Sequence, residues 1–253
     1  MGLATNETEA FMNQQSIENN SLFAEGLACL RNEQLLFEEI SFKLSSGEVL
    51  QIEGANGSGK TSLLRILCGL AIPEEGKVSW NNQNIQDIGS QYAQDMHYIG
   101  HTNGIKAELT PMENLIVAQS LTIDRGGCSS KDALAQMEIE ELADIPVRKL
   151  SSGQRRRVAL SRLLISEARL WLMDEPFTSL DDGSRLLVKK MIETHTNTGG
   201  LAVIVTHDPL ELPSIPFKKI TFDYDTTEEK LAEPFQCRCH GRWVYGWNGF
   251  PRT

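Results

Sequence analysis

The second half of the chain holds two stretches that are almost continuously apolar, Arg169–Asp174 and Leu201–Val205. Such runs are typical of parallel strands that are buried on both faces of a sheet. A shorter run with strand character, Gly47–Glu53, lies earlier in the chain and stops at Gly54. The three runs predict core strands of an α/β fold.

Between these strands, apolar residues repeat at helical spacing. The segment Lys60–Leu70 has leucine or isoleucine at positions 63, 64, 66 and 67, and it is predicted to end near Gly69. From about residue 103 to residue 152 strand patterns are weak, and helices are predicted over Pro111–Gln119 and Ser130–Leu142. The sequence therefore predicts a helical insert in an α/β core.

Composition and charge exclude several classes of protein. The 253 residues carry 24 Lys and Arg against 34 Asp and Glu, so the net charge is −10. Nucleic acid is thereby excluded as the main partner, because phosphate backbones need a basic face. No apolar run approaches the roughly 18 residues of a membrane-spanning helix, and no signal-peptide pattern is present. Five scattered cysteines are unlike a disulfide framework, and we expect a reducing, cytoplasmic compartment.

Three regions differ in character along the chain. Residues 1–22 are polar and are predicted to form a disordered extension, residues 23–225 have the pattern of a globular domain, and residues 226–253 form a tail. From residue 236 the tail contains four aromatic residues, three arginines and no acid. Its Cys237, Cys239 and His240 are possible ligands of a metal or haem, although a closed zinc site needs four ligands at wider spacing. The alternative is a tail whose aromatic residues pack on the core or on a partner.

The most specific motif is a glycine-rich loop between the first predicted strand and helix. It has the pattern G-x-x-x-x-G-K-[ST], with Ser62 following, and comprises Gly54, Ala55, Asn56, Gly57, Ser58, Gly59, Lys60 and Thr61. Glycines allow the backbone N–H groups to surround phosphates, and the start of the helix adds a positive end. Lys60 is expected to reach the β- and γ-phosphates of a nucleotide, and the Thr61 hydroxyl is expected to bind Mg²⁺.

A pair of carboxylates ends the strand before Pro176. Asp174 and Glu175 are placed at the carboxyl end of a buried strand, where open α/β sheets bind ligands. Asp174 is predicted to hold Mg²⁺ through water, and Glu175 to orient and deprotonate the attacking water. Alone, this pair is more often a turn signal. Beside a phosphate loop, the catalytic interpretation is favoured.

A third motif, Leu150-Ser151-Ser152-Gly153-Gln154, precedes a helix with apolar periodicity. By itself it is a serine N-cap. The motif and its place, between the helical insert and the Asp-Glu pair, resemble the Leu-Ser-Gly-Gly-Gln-like signature of the ATP-binding cassette (ABC) family and the place of that signature in the chain. Ser179-Leu180-Asp181 is similar to that family's D-loop, and His207 is similar to its switch histidine, which senses the γ-phosphate.

The resemblance covers about 200 residues and implies a fold, a cofactor and an assembly. The fold is an α/β, P-loop NTPase of ABC type, with a mostly parallel core sheet, an antiparallel β portion and an inserted helical subdomain at about 103–158. The implied ligands are ATP and Mg²⁺. The implied assembly is a head-to-tail dimer in which Lys60 of one subunit and Ser151–Gln154 of the other enclose each ATP, with Asp181 beside them. ATP would close this dimer, and hydrolysis would release it.

Two positions depart from the family pattern. The glutamine that ligates Mg²⁺ in the family is absent near Tyr98–Thr102, and His101 or Thr102 occupies its place. The aromatic residue that usually stacks on adenine is replaced by Arg31, whose planar guanidinium is able to lie over a purine. A surface arginine without such a contact is the alternative.

Three longer stretches narrow the resemblance within the family: Gly54–Leu70, Tyr98–Leu115 and Leu170–Thr178. They are similar to the ATPase subunits of bacterial haem exporters for cytochrome c maturation. This resemblance implies a peripheral protein on the cytoplasmic face of the inner membrane, bound to integral membrane permease subunits, with haem or a haem–chaperone complex as substrate. The alternatives are the ATPase subunit of an unrelated ABC exporter and a soluble ABC ATPase.

Overall fold

The computed structural model of the protein describes residues 19–32, 34–121, 128–207, 210–212 and 214–222, and the backbone of residues 236–239 and 242–245. Two 3₁₀ turns lie at Glu140–Leu142 and Val147–Lys149. In chain order the strands and helices are β1 (Ser21–Arg31), β2 (Gln34–Ser45), β3 (Val49–Gly54), α1 (Lys60–Leu67), β4 (Glu75–Trp80), β5 (Gln83–Asn84), α2 (Gly89–Asp95), β6 (Met96–Ile99), α3 (Pro111–Ser120), α4 (Ser130–Gln136), α5 (Ser152–Ile165), β7 (Leu170–Asp174), α6 (Asp182–Asn197), β8 (Leu201–Val205), β9 (Phe217–Phe222), β10 (Gln236–Cys239) and β11 (Arg242–Tyr245).

A five-stranded parallel sheet in the order β6-β7-β8-β3-β9 forms the centre of the protein. The two apolar runs of the sequence are its adjacent strands β7 and β8, and every residue of both is buried. Their side chains alternate between two cores, with Trp171 and Met173 on one face of β7 and Leu170 and Leu172 on the other. The prediction of strands buried on both faces is confirmed.

A four-stranded antiparallel sheet in the order β2-β1-β4-β5 shares the second of these cores with α1. The ABC resemblance implied such a portion, and it is confirmed, but its strands were not predicted from the hydrophobic pattern. The reason is local irregularity. The pairing of β1 with β2 shifts register three times between Ala24 and Leu30, and Gly26 and Glu39 both have positive φ, 59° and 56°. Each irregularity interrupts the alternation of apolar and polar residues by which a strand is recognised in a sequence.

Helices α3–α6 pack on the first core, on the opposite face of the central sheet. Helix α3 begins with a capping box between Thr110 and Glu113, as its sequence favours. The predicted helix over Ser130–Leu142 is wrong in its second half, because Glu138 has a φ of 52° and the chain continues as a 3₁₀ turn. The predicted helix over Lys60–Leu70 ends three residues early at Leu67, where the backbone turns at Gly69 with a φ of 70°.

The N-terminal boundary needs correction. Strand β1 begins at Ser21, and Asn20 and Leu22 are buried, so the predicted disordered extension of residues 1–22 includes positions that belong to the sheet. Residues 1–18 of that extension lie outside the described residues. The same holds for the side chains of the tail, including Cys237, Cys239 and His240, so the possible ligand role of the tail stays a prediction. The limits of the domain, 23–225, of the helical insert, about 103–158, and of the tail, 226–253, also remain predictions.

Candidate nucleotide site

The carboxyl ends of three neighbouring strands, β3, β7 and β8, meet at one edge of the central sheet. A cavity of about 560 Å³ lies at this edge. Its lining residues come from the end of β1, from β2, from the glycine-rich loop and the start of α1, from the segment after β6, and from the ends of β7 and β8 with the residues that follow them: Arg31, Leu36, Asn56, Gly57, Gly59, Lys60, Thr61, Ser62, His101, Asp174, Glu175, Thr178, Val205 and His207. Residues as far apart in the sequence as Arg31 and His207 are therefore brought into one place.

The glycine-rich loop joins β3 to α1, and two of its glycines are required by the geometry. A Cβ atom at Gly54 would lie 2.5 Å from the backbone oxygen of Phe222 on β9, and φ there is +146°. A Cβ atom at Gly59 would lie 2.9 Å from the ring of Phe37, and φ there is +102°. Any other residue at either position would displace the loop from the sheet or from β2. Ala55 and Ser58 lie between these two fixed points, and Ser58 is buried.

Lys60, the first residue of α1, points back into the loop. Its ammonium group donates hydrogen bonds to the backbone oxygens of Gly54, at 2.8 Å, and Ala55, at 2.7 Å. Burial lowers the pKa of Lys60, and the nearby carboxylates of Glu175 and Asp174 oppose that effect. The lysine is thus a cation held at the floor of the cavity by backbone carbonyls.

The Thr61 hydroxyl and the Asp174 carboxylate are in direct contact. The hydroxyl donates to Asp174 Oδ2 at 3.0 Å, and Asp174 is only 3% exposed. Hydroxyl and carboxylate oxygens are the ligands that Mg²⁺ prefers. This pair fits a magnesium ion by the chemistry of its donor set.

Glu175 and His207 form the second polar pair of the cavity. Glu175 Oε1 lies 3.3 Å from His207 Nε2, and the same nitrogen lies 3.1 Å from Oδ1 of Asn56 in the loop. Burial raises the pKa of the Glu175 carboxyl, while His207 opposes the shift and Asp174 adds to it. The backbone of Glu175 has a φ of 50°, a left-handed conformation that non-glycine residues rarely adopt, and its N–H donates to Val205 at 2.8 Å.

The two positions that depart from the family pattern lie at the site in different ways. Arg31 ends β1 and lines the cavity together with the loop residues. His101 lines the same cavity and also a second one of about 450 Å³, whereas Thr102 lines only the second. Of the two candidates for the missing glutamine, His101 is therefore the one placed at the nucleotide cavity.

The signature motif lies elsewhere on the subunit. Among the residues lining the 560 Å³ cavity, none belongs to Ser151–Gln154, and Asp181 is also absent. Ser151 and Gln154 form a capping box at the start of α5, in which the Ser151 hydroxyl accepts from the Gln154 N–H at 3.2 Å. Asp181 caps α6 by accepting from the Ser184 N–H at 2.8 Å, and hydrogen bonds from the Ser184 hydroxyl and from its N–H lower the pKa of this exposed carboxyl. Within one chain these residues act as helix caps, with Ser152 and Gly153 in the first turn of α5.

One residue that holds the site together, Arg156 on α5, was not predicted from the sequence. Its guanidinium is buried and donates to the backbone oxygens of both Asp174 and Glu175, at 2.8 and 2.9 Å. The helical spacing contained a signal for it, because Arg156 lies three, four and seven positions before the buried residues Ala159, Leu160 and Leu163. An arginine on the apolar face of a helix is unusual unless its charge has partners.

Comparison with known proteins agrees with this geometry. The family described as ABC transporter matches residues 37–178. The chain is 46% identical over 191 residues to the cytochrome c biogenesis ATP-binding export protein CcmA of Nitrosococcus oceani, covering 76% of this chain and 88% of that protein. It is 43% identical to the protein of the same name from Yersinia pestis, covering 83% of this chain and 95% of that protein.

Solved structures show a similar fold. A dimeric ATP-binding cassette in a post-hydrolysis state, bound to ADP and phosphate, superposes with a TM-score of 0.69 at 23% identity, covering 79% of this chain and 94% of that chain. In the part of the chain that the structure describes, no helix has the length and apolar character needed to cross a bilayer.

Proposed function

Because the chain belongs to the ABC transporter family and, within it, to the family of CcmA proteins, we propose that it is the ATP-hydrolysing subunit of a haem exporter for cytochrome c biogenesis. The observation that carries the ATPase assignment is the single cavity that gathers the glycine-rich loop, Asp174, Glu175 and His207. The transport assignment rests on the relatives, whose name describes an ATP-binding export protein of cytochrome c biogenesis.

The loop and the start of α1 are suited to bind the ATP phosphates. We expect Lys60 to exchange its contacts with the Gly54 and Ala55 carbonyls for the β- and γ-phosphates. The backbone N–H groups of residues 55–62 would complete the phosphate contacts at the positive end of α1. Arg31 lines the same cavity outside the loop, where its planar guanidinium would stack on adenine.

Thr61 and Asp174 would hold a magnesium ion between them, Asp174 through water, with His101 as a further ligand from the segment after β6. The ion, when bound, neutralises charge that develops on the phosphate oxygens. The existing contact of the two oxygens at 3.0 Å indicates that both side chains already point to one place.

Glu175 is suited to act as the general base for hydrolysis. It would accept a proton from water as the water oxygen attacks the γ-phosphorus and the bond from phosphorus to the β-phosphate oxygen breaks. The raised pKa of its carboxyl brings it nearer to the operating pH, which favours proton transfer. His207 lies between Glu175 and Asn56, and these contacts support a role in which it would orient the base and contact the γ-phosphate.

A second copy of the chain would complete the site. Within one subunit, Ser151–Gln154 lie at the start of α5 and Asp181 lies at the start of α6. None of these residues lines the cavity that would bind phosphate. In a head-to-tail dimer the start of α5 of one copy would face the ATP held by Lys60 of the other. The Ser151 hydroxyl and the free N–H groups of the first turn of α5 then donate to the γ-phosphate.

The membrane subunits would bind beside the segment after β6. The 450 Å³ cavity at this place is lined by Tyr98 and by the residues from 99 to 104, with Leu70 at its edge. Leu70 is 58% exposed and its neighbour Ile72 is 80% exposed, so an apolar surface adjoins the cavity. A permease contact here would place the ATPase on the cytoplasmic face of the inner membrane, with haem or a haem–chaperone complex handled by the membrane subunits.

Two measurements test the proposal. Purified protein should hydrolyse MgATP, and Lys60→Ala should abolish ATP binding, whereas Lys131→Ala, which changes only an exposed ion pair with Glu140, should leave it intact. Retained affinity in Lys60→Ala would exclude the phosphate-loop assignment.

The transport assignment is tested by isolating the protein from native membranes in mild detergent and identifying what accompanies it. Recovery with integral membrane subunits that also bind haem-handling proteins supports the haem assignment. Recovery with unrelated permeases, or only in the soluble fraction, would leave the ATPase assignment standing and overturn the haem assignment.

A further inference from the structure

Arg156 is a buried cation whose hydrogen-bonding capacity is fully used. A guanidinium group has five N–H donors. Arg156 is 3% exposed, and its five hydrogen bonds run from Nε to Pro176 O at 3.3 Å, from Nη1 to Gly100 O at 3.0 Å and Asn103 Oδ1 at 3.1 Å, and from Nη2 to Asp174 O at 2.8 Å and Glu175 O at 2.9 Å. All five acceptors are uncharged oxygens: four are backbone carbonyl oxygens and one is the side-chain amide oxygen of Asn103.

These contacts join three separate segments of the chain. Arg156 itself lies in α5, two residues after Gln154. Two of its bonds reach the Gly100–Asn103 segment after β6, and three reach the end of β7 at residues 174–176. The segment after β6 lines both the nucleotide cavity and the neighbouring cavity through His101. One side chain therefore connects the helix that carries the signature, the segment between the two cavities and the strand end that carries Glu175.

The backbone of Glu175 needs such support. Its φ of 50° is maintained only where the surroundings fix it. Three hydrogen bonds help to do so: its N–H donates to Val205 O at 2.8 Å, and its carbonyl accepts from Arg156 Nη2 at 2.9 Å and from the Thr178 N–H at 3.2 Å. Loss of the Arg156 bond would leave this carbonyl held only by the longer bond from Thr178, which is itself three residues away in the same turn, and the peptide would no longer be tied to another element on its carbonyl side. The Glu175 carboxylate would then be less firmly positioned relative to the phosphates.

We propose that Arg156 is a positioning residue for hydrolysis. It holds the Glu175 peptide at a fixed position relative to helix α5 and to the Gly100–Asn103 segment. This inference rests on the proposed ATPase function and adds a residue to it. A movement of either α5 or the Gly100–Asn103 segment would reach Glu175 through one rigid, planar group. Lysine cannot replace it, because an ammonium group has three donors around one atom and is unable to span five acceptors on two segments.

The test compares Arg156→Lys with Arg157→Lys in the full-length protein. Arg157 is a matched control because it also donates to backbone carbonyls, those of Met137 and Glu138 at 3.1 and 3.0 Å, but has no bond to the strand end. For Arg156→Lys we expect kcat to fall roughly 10- to 100-fold, the effect of a misplacement of about 1 Å at a reacting group. The KM for MgATP should stay within about twofold, because none of the five acceptors belongs to the phosphate loop. Arg157→Lys should keep kcat.

An Arg156→Lys protein with wild-type kcat, or a parallel loss of kcat in Arg157→Lys, would overturn the proposal. If Arg156→Lys does not fold, Asn103→Ala tests the proposal instead, because it removes the side-chain oxygen that accepts from the same guanidinium. A lower kcat at unchanged KM supports the proposal, and an unchanged kcat overturns it. Wild-type protein that neither binds nor hydrolyses ATP would instead refute the proposed function itself, and this inference with it.

Discussion

Replacing Glu175 by glutamine tests the proposed chemistry most directly, because it removes the base and changes little else. Glutamine has the shape of glutamate, and the main-chain hydrogen bonds that hold this residue, to Val205 and from Arg156 and Thr178, do not involve its side chain. A positioned general base contributes roughly 10²- to 10⁴-fold to a rate. We therefore expect kcat to fall by that factor, which corresponds to about 2.7–5.5 kcal/mol of barrier at 1.36 kcal/mol per factor of ten.

The assay separates chemistry from binding. Phosphate release is measured against MgATP concentration, and dimer formation is followed by size-exclusion chromatography with MgATP present. Glu175→Gln should bind ATP at least as tightly as wild type, because one negative charge beside the phosphates is lost, and it should accumulate as a dimer. The control is Glu25→Gln, whose carboxylate pairs with Lys77 on the exposed antiparallel sheet at 3.1 Å. Turnover of Glu175→Gln at the wild-type rate would remove Glu175 as the base.

The same variant should also differ from wild type in thermal stability, and the pKa of Glu175 sets the direction of the difference. Burial raises the pKa of Glu175 in the folded protein, so the folded state holds its proton more tightly than the unfolded state does. Above the pKa of an ordinary glutamate, about 4.3, the buried charge therefore destabilises the fold. Glu175→Gln should have a higher Tm than wild type at pH 7.5, and the difference should vanish as the pH falls below about 4. A lower Tm at pH 7.5 would contradict this reasoning.

Three further predictions concern single side chains. Arg31→Ala should raise the KM for ATP roughly 2- to 30-fold, the range of a cation–π contact of about 0.5–2 kcal/mol, and an unchanged KM would exclude stacking on adenine. His101→Ala should alter the Mg²⁺ dependence of turnover more than Thr102→Ala, because only His101 lines the nucleotide cavity; the reverse order would exclude His101 as the ligand. Burial lowers the pKa of His195 to about 4 from an ordinary 6.5, so folded stability should fall as pH drops through this window. His195→Phe, which keeps a ring to stack on Trp171 where the imidazole lies 3.7 Å away, should reduce the fall in Tm between pH 7 and pH 4.5, and an equal fall in both proteins would exclude this histidine as a cause.

The parts of the fold that could be predicted are those in which local sequence and tertiary environment agree. Strands β7 and β8 are buried on both faces, so almost every residue is apolar, and their bounds were predicted within one residue. The phosphate loop was predictable because its glycines are dictated by close contacts and positive φ. The antiparallel sheet could not be found in the same way, because bulges in β1 break its alternation and because its outer face is exposed.

Site residues were harder to predict where only three-dimensional context distinguishes them. Arg155, Arg156 and Arg157 have the same chemistry, and helical spacing places Arg156 on the apolar face of α5, but only the structure shows that it is buried and bonded to the ends of both β6 and β7. The helix that leads to it was predicted, but the partners of its guanidinium are backbone oxygens, which no side-chain pattern reveals. For the same reason, the sequence could not decide whether His101 or Thr102 replaces the missing glutamine. The structure distinguishes them, because only His101 lines the nucleotide cavity.

The strand order has a consequence for the synthesis of the protein. The phosphate loop is made early, at residues 54–61, but β3, which carries it, pairs only with β8 and β9 within the central sheet. Both neighbours come from residues 201–222, which leave the ribosome last among the strands of that sheet. Gly54 itself is packed against Phe222, the final residue of β9. A nascent or truncated chain that ends before Leu201 therefore has the whole glycine-rich motif in its sequence but neither of the strands that pair with β3, and we expect such a chain not to bind nucleotide.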